Sequence, residues 1–206
     1  RARAASQPGP PAQRQPPQQQ PAQDGDVVPG ADQGLAPGTA GGREGDRLRA
    51  RQAVEDARAA VARLLGARPE EIVFTAGATE ANNLALIGAA RSARRHGRGA
   101  HLVTTAFEHN SVSDTLHALT GEGFTLAVVS PEPDGVVSPD AIERAIQPGT
   151  VLVSMIAANA EIGTVQPVAT VGAICRARGV VFHTDATQLV GKLPVDVGAM
   201  GVDLLA

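Results

Sequence analysis

The stretch Val180-Val-Phe-His-Thr-Asp185-Ala-Thr-Gln188 is an apolar run that stops abruptly on an aspartate. A short, nearly continuous apolar run reads as a strand buried on both faces, as in a parallel sheet covered by helices. An ionised acid at the tip of such a strand costs desolvation energy, and it is tolerated where a cation or a strong donor faces it. Working outward, strand-like runs recur at Glu71–Thr75, His101–Thr105, Phe124–Val129 and Val151–Ile156. Helix signals alternate with them. Ala50, Ala53, Val54, Ala57, Val61, Leu64 and Leu65 recur at three- and four-residue spacing, and Gly66 closes that helix. A helical stretch runs through Leu84, Leu86 and Ile87. Ser138-Pro139-Asp140 opens another with a capping residue and Pro in the first turn, and one more lies between Gly163 and Gly179 with Val171, Ala173, Ile174 and Ala177 as its apolar positions. Alternating βα units predict an α/β fold, a mostly parallel sheet with helices on both faces, over residues 43–206. In such sheets ligands bind beyond the carboxyl ends of the strands.

Composition bounds the rest. The first 42 residues hold 8 Pro, 8 Gln and 7 Gly, with Val27, Val28 and Leu35 as the only larger aliphatics, so this segment is expected to be disordered. The chain opens on Arg1 rather than Met, which marks it as an expected fragment. With 18 Lys plus Arg against 21 Asp plus Glu, a formal charge of -3 and no basic stripe, no nucleic-acid partner held by bulk electrostatics is expected. The chain has no Trp and no Tyr, so base-stacking platforms are not expected either. No apolar run reaches a membrane span and no signal-peptide core opens the chain. A single cysteine, Cys175, cannot form an internal disulfide. A cytoplasmic protein without membrane attachment is the expectation.

Four strand ends carry the chemistry. After Phe74-Thr75 comes Ala76-Gly77-Ala78-Thr79, a turn of small residues feeding a helix, whose free N–H groups and positive dipole end suit a phosphate, with the Thr79 hydroxyl beside them. The motif is neither a P-loop nor a dinucleotide fingerprint. After Thr105 comes Phe107-Glu108-His109-Asn110-Ser111, where His109 can stack on a planar ligand or pass a proton. Asn159 and Glu161 follow the run Val151–Ile156, and Asp185 and Gln188 the run Val180–Thr184. A phosphate cradle, a ring partner, a carboxamide and an acid that needs a cationic N–H together suit pyridoxal 5′-phosphate, whose ring nitrogen such an acid keeps protonated. A competing reading joins His183 and Asp185, on one side of a strand, with His109 as a metal set; no second acid or cysteine cluster completes it, and no metal is expected.

Residues 50–205 resemble the cysteine desulfurases of the NifS/IscS type, within the class V aminotransferase group of fold-type I pyridoxal-phosphate enzymes. The resemblance is carried by Ala53–Arg58, Glu71-Ile-Val-Phe-Thr-Ala-Gly-Ala-Thr-Glu-Ala-Asn-Asn-Leu-Ala85, Thr105-Ala-Phe-Glu-His-Asn-Ser-Val112, Asn159-Ala-Glu-Ile-Gly-Thr-Val-Gln-Pro167 and His183–Asp196. It implies that Ala78 and Thr79 hold the cofactor phosphate, and that His109 stacks on the ring and assists proton transfer. Asn159 would lie near the ring's 3′-oxygen, Asp185 would bind the pyridine nitrogen and Gln188 would donate to the 3′-oxygen. The implied reaction converts L-cysteine to L-alanine and leaves a persulfide on the enzyme for a sulfur-acceptor protein, such as an iron–sulfur scaffold, in a homodimer.

Departures from the family's pattern accompany the likeness. The cofactor-anchoring lysine, in a Ser-x-His-Lys run, is expected just past Ala206. Lys192, the only lysine, matches a family position with no such role, and Cys175 falls on an apolar helix rather than a mobile loop. Ala76 and Ala160 stand where Ser and Asn are usual. The 206 residues are therefore expected to be an inactive piece of a larger enzyme. A related class V enzyme (an aminotransferase or a selenocysteine lyase) and a non-enzymatic partner-binding or dimerisation module are the alternatives.

Overall fold

The computed structural model describes residues 42–206. The expectation of disorder for the leading Pro/Gln/Gly tract falls, Gly42 apart, outside the described residues. Five strands form one sheet: β1 (His101–Thr105), β2 (Thr125–Val129), β3 (Thr150–Ser154), β6 (Val181–Thr184) and β7 (Leu204–Leu205), in the order β2-β1-β3-β6-β7. Every pairing is parallel, as the alternation of periods predicts. β1 and β3 are buried along their whole length, which explains why they read as continuous apolar runs rather than alternating ones.

Two layers cover the sheet. α2 (Ala78–Arg95) and α3 (Asn110–Thr120) pack on one face, where Leu86 and Ala90 meet Leu102 and Leu152 of the strands and Val112, Leu116 and Leu119 of α3. α4 (Pro139–Ala145) and α5 (Val168–Arg178) pack on the other, with Ile142, Val171 and Cys175 against Val103, Val153 and Phe182. Neighbouring residues of one strand thus serve opposite layers, the two-residue period of extended chain. A small antiparallel pair, β4 (Ala158–Asn159) with β5 (Thr164–Val165), and a one-turn helix α6 (Val197–Met200) fill the crossovers. The long helix α1 (Gly42–Leu65) ends at Gly66, whose φ of +67° is the left-handed turn that glycine makes cheaply.

One expectation is corrected and two are sharpened. The run Glu71–Thr75 is not a strand: Pro69–Glu71 forms a single 3-10 turn, and Ile72–Thr75 extends without a sheet neighbour among the described residues, leaving Val73 and Phe74 exposed. A strand needs a partner for its N–H and C=O groups, and a hydrophobic run supplies none by itself. The helix placed between Gly163 and Gly179 begins only at Val168, because Asn159 accepts the N–H groups of Glu161 and Ile162 and folds the preceding residues into the β4–β5 turn. Finally, the apolar stripe of α1 is covered only at its last turn, where Ala62 and Leu65 are buried while Val54 and Leu64 lie open.

The chain leaves β1, passes to β2 on one side and returns to β3 on the other. This reversal opens a crevice at the carboxyl ends of β1 and β3, the place where open α/β sheets bind ligands.

Candidate functional site

A cleft of about 490 Å³ sits over that crevice. Its walls come from the start of α2 (Ala78), the segment after β1 (Ala106 to Asn110), the segment after β3 (Ile156 and Asn159 to Glu161) and the segment after β6 (Asp185, Thr187, Gln188). Five of the six residues singled out from sequence therefore meet in one place: Ala78, His109, Asn159, Asp185 and Gln188. Thr79 stands next to Ala78 in the first turn of α2 but is exposed and does not line the cleft.

Asp185 follows β6 directly and is almost fully buried. Its Oδ1 accepts the N–H of Thr187 at 3.0 Å and its Oδ2 accepts Nδ2 of Asn82 at 2.9 Å. Both donors are neutral. A buried carboxylate with neutral donors only retains capacity for a cationic partner on its cleft side. Asn82 lies one turn into α2, so the same bond ties the acid to the helix whose N-terminus forms the opposite wall. Gly77 precedes that N-terminus and offers no side-chain cap, which leaves first-turn N–H groups available to a ligand. Asp185 and Ala78 thus face one cleft from two sides.

Glu108 and His109 sit side by side in the segment after β1. Oε1 of Glu108 accepts from the Thr105 hydroxyl and, at 2.9 Å, from the N–H of Ile156, which binds the end of β1 to the end of β3. Its Oε2 is buried without a partner among the described residues. Burial pushes this carboxyl up to about 8, with the nearby Asp185 charge adding to the effect and the two donors opposing it, so it stays protonated at neutral pH. His109 caps α3: its Nδ1 accepts the N–H of Ser111 at 3.1 Å and lies 2.8 Å from the Ser111 hydroxyl. Asn159 donates to the carbonyl of Phe107 at 3.1 Å, so much of its hydrogen bonding is spent on holding two loops together.

The remaining candidates are placed as follows. Lys192 donates to Oε1 of Gln188 at 2.8 Å, the Gln188 amide nitrogen makes no hydrogen bond among the described residues, and Lys192 is not itself part of the lining. Cys175 is buried in α5, where burial pushes its thiol up to about 12 and disfavours the thiolate. His183 is fully buried, its Nδ1 2.9 Å from the Ser154 hydroxyl, and burial pulls its ring down to about 4. Among the described residues no group of three or more His, Cys, Asp or Glu is placed to hold a metal ion, which leaves the His109–His183–Asp185 set without support. Sequence reasoning missed the parts played by Asn82, Ser111 and Glu108. The contacts that give them these parts include remote ones, 103 residues from Asn82 to Asp185, 29 from Asn82 to Ser111 and 48 from Glu108 to Ile156, and the sole signal available was that each sits within a quoted motif.

Comparisons with known proteins bear on the family and the fold. A cysteine desulfurase IscS of Salmonella arizonae is 47% identical over 157 residues; the matched part is 76% of this chain and 38% of that protein, so the chain spans well under half the length of such relatives. The solved structure described as SspA in complex with cysteine superposes with a TM-score of 0.74 at 40% identity, covering 77% of this chain and 45% of that one. DndA from Streptomyces lividans superposes with a TM-score of 0.75 at 39% identity, covering 82% and 46%. The aminotransferase class-V family matches residues 40–206, which include every element of the sheet and every wall of the cleft, and the chain belongs to that family.

Proposed function

We propose that the chain is the cofactor-binding part of a pyridoxal 5′-phosphate-dependent cysteine desulfurase. The observation that carries this reading is Asp185, a buried carboxylate bonded only to neutral donors, in the wall of a cleft whose other wall is an uncapped helix N-terminus. These residues fit the cofactor. The N–H groups of Ala78 and Thr79 at the α2 N-terminus would hold its phosphate, with the exposed Thr79 hydroxyl reaching it from outside the cleft lining. Asp185 would face the pyridine nitrogen and keep it protonated, and the free amide of Gln188 would donate to the 3′-oxygen, with Asn159 nearby. His109 at the cleft mouth would stack on the ring and pass a proton. When bound, the cofactor supplies an electron sink for a carbanion at the substrate's α-carbon. Lys192 and Cys175, one paired with Gln188 and the other buried, do not supply the anchoring lysine or the persulfide-carrying thiolate.

The substrate would be L-cysteine, the products L-alanine and a persulfide sulfur destined for an acceptor protein such as an iron–sulfur scaffold, and the working form a cytoplasmic homodimer. The relatives named cysteine desulfurase, and the cysteine bound to SspA, support this choice over an aminotransferase or a selenocysteine lyase. The 206 residues alone would turn over nothing. Equilibrium dialysis of the chain with pyridoxal phosphate tests the site: binding competed by inorganic phosphate, and weakened at least about tenfold in Asp185→Asn, is expected. Equal binding by the two proteins would overturn the assignment. For the reaction, a longer protein carrying this chain is incubated with L-cysteine, L-selenocysteine or an oxo acid; L-alanine and sulfide from L-cysteine support the reading, and transamination alone refutes it.

A further inference from the structure

A four-residue hydrogen-bond chain crosses from the buried acid to the cleft mouth. Asn82, fully buried at the second turn of α2, places Nδ2 2.9 Å from Oδ2 of Asp185 and 2.9 Å from Oγ of Ser111. A carboxylate only accepts, so the atom facing it must be the amide nitrogen rather than the oxygen, and the two hydrogens of that nitrogen are then both committed. The orphaned Oδ1 of Asn82, buried with no partner among the described residues, shows that the acid rather than the amide's own needs decides this orientation. Ser111 Oγ, receiving one amide hydrogen, has its own proton left for Nδ1 of His109 at 2.8 Å. The backbone N–H of Ser111 points at the same Nδ1 at 3.1 Å, and a backbone N–H can only donate.

From this geometry we infer that Asn82 and Ser111 are positioning residues that lock His109 as the neutral tautomer protonated on Nε2. Nδ1 faces two donors and cannot carry a hydrogen without setting two of them head to head. The ring edge that remains, Nε2, makes no hydrogen bond among the described residues and belongs to a side chain lining the cleft. Toward a ligand the neutral ring therefore presents a hydrogen-bond donor at Nε2, whose natural counterpart is an oxygen or another acceptor. The polarity of the chain originates at Asp185, so one carboxylate sets both the acid wall of the cleft and the donor at its mouth. The inference concerns the chain's own residues and does not depend on which ligand fills the cleft.

The test reads nitrogen protonation directly. The chain is labelled with ¹⁵N-histidine, and long-range proton–nitrogen correlation spectra are recorded without ligand at about pH 8.5, where imidazole is ordinarily neutral. His109→Gln assigns the resonances. In the wild type, Nε2–H over Nδ1–H by more than about tenfold is expected, since two hydrogen bonds to Nδ1 are at stake. Ser111→Ala keeps the backbone donor and loses the hydroxyl, so the ratio should fall several-fold. Asn82→Asp presents an acceptor to the Ser111 hydroxyl and turns its proton away from His109, which should move the population toward Nδ1–H. The same substitution made together with Ser111→Ala should have no further effect on the tautomer, because no hydroxyl is left to reverse. A wild-type ring protonated mainly on Nδ1, or a ratio that Ser111→Ala leaves unchanged, overturns the inference; the Ser111→Ala comparison stands even where Asn82→Asp fails to fold.

Discussion

Glu108 carries one oxygen saturated by two donors and one buried oxygen with no partner, next to a second acid. Its folded value, about 8, lies above the ordinary 4.5, so the folded state holds this proton more tightly than the unfolded chain does. The stability so gained is complete below the ordinary value and is lost as the pH rises through about 8. His183 works in the opposite sense: pulled from 6.5 to about 4, it stabilises fully above 6.5 and loses that contribution as the pH falls toward 4. The two slopes oppose each other at mildly acidic pH, and above 6.5 only the Glu108 slope remains. Thermal melts between pH 6.5 and 8 should therefore show the wild type losing on the order of 1 kcal/mol. Glu108→Gln keeps an acceptor for Thr105 and Ile156 and should flatten that window; an unchanged slope in the variant would show that Glu108 does not titrate there.

At the scale of elements, the N-terminus of α2 and the middle of α5 make opposite use of glycine. Gly77 has extended backbone geometry that any residue adopts, and a Cβ there would meet nothing within 4 Å. Gly77→Ser should therefore fit and cap the helix, stabilising the protein by about 1 kcal/mol. If the open N–H groups serve a phosphate, the same hydroxyl competes for them, and affinity for pyridoxal phosphate should drop as the melting temperature rises; a rise in both would detach the helix end from the ligand. Gly172 sits inside α5, where alanine ordinarily stabilises by about 1 kcal/mol. Here a Cβ would lie 2.0 Å from the carbonyl oxygen of Met200, since the turn after α6 runs directly across the helix. Gly172→Ala should thus destabilise by about 1–3 kcal/mol, a reversal of sign that a denaturant titration resolves. The helix itself was legible from apolar spacing, but this crossing was not, because no periodicity records which backbone passes over a glycine.

On the scale of the whole molecule, Val54 and Leu64 on α1, with Val73 and Phe74 on the unpaired stretch after it, are large apolar side chains open to solvent. Exposed apolar surface favours association, and sedimentation velocity should show concentration-dependent self-association that Val73→Asp with Phe74→Ser reduces. A monomer at all concentrations would count against the homodimer. The parallel α/β architecture, the positions of β1, β2, β3 and β6, and the gathering of His109, Asn159, Asp185 and Gln188 beyond strand ends with Ala78 at a helix N-terminus were determined by the sequence itself. Each rests on local pattern: apolar period, turn residues, and the rule that ligands collect at the carboxyl edge of such a sheet. Tertiary structure alone decided that Ile72–Thr75 finds no sheet neighbour among the described residues, that α1 leaves most of its stripe uncovered, and that Asn82 reaches both Asp185 and Ser111. Those facts depend on which distant segments pack together, and packing between segments a hundred residues apart is a property of the assembled layers, which no window along the chain contains.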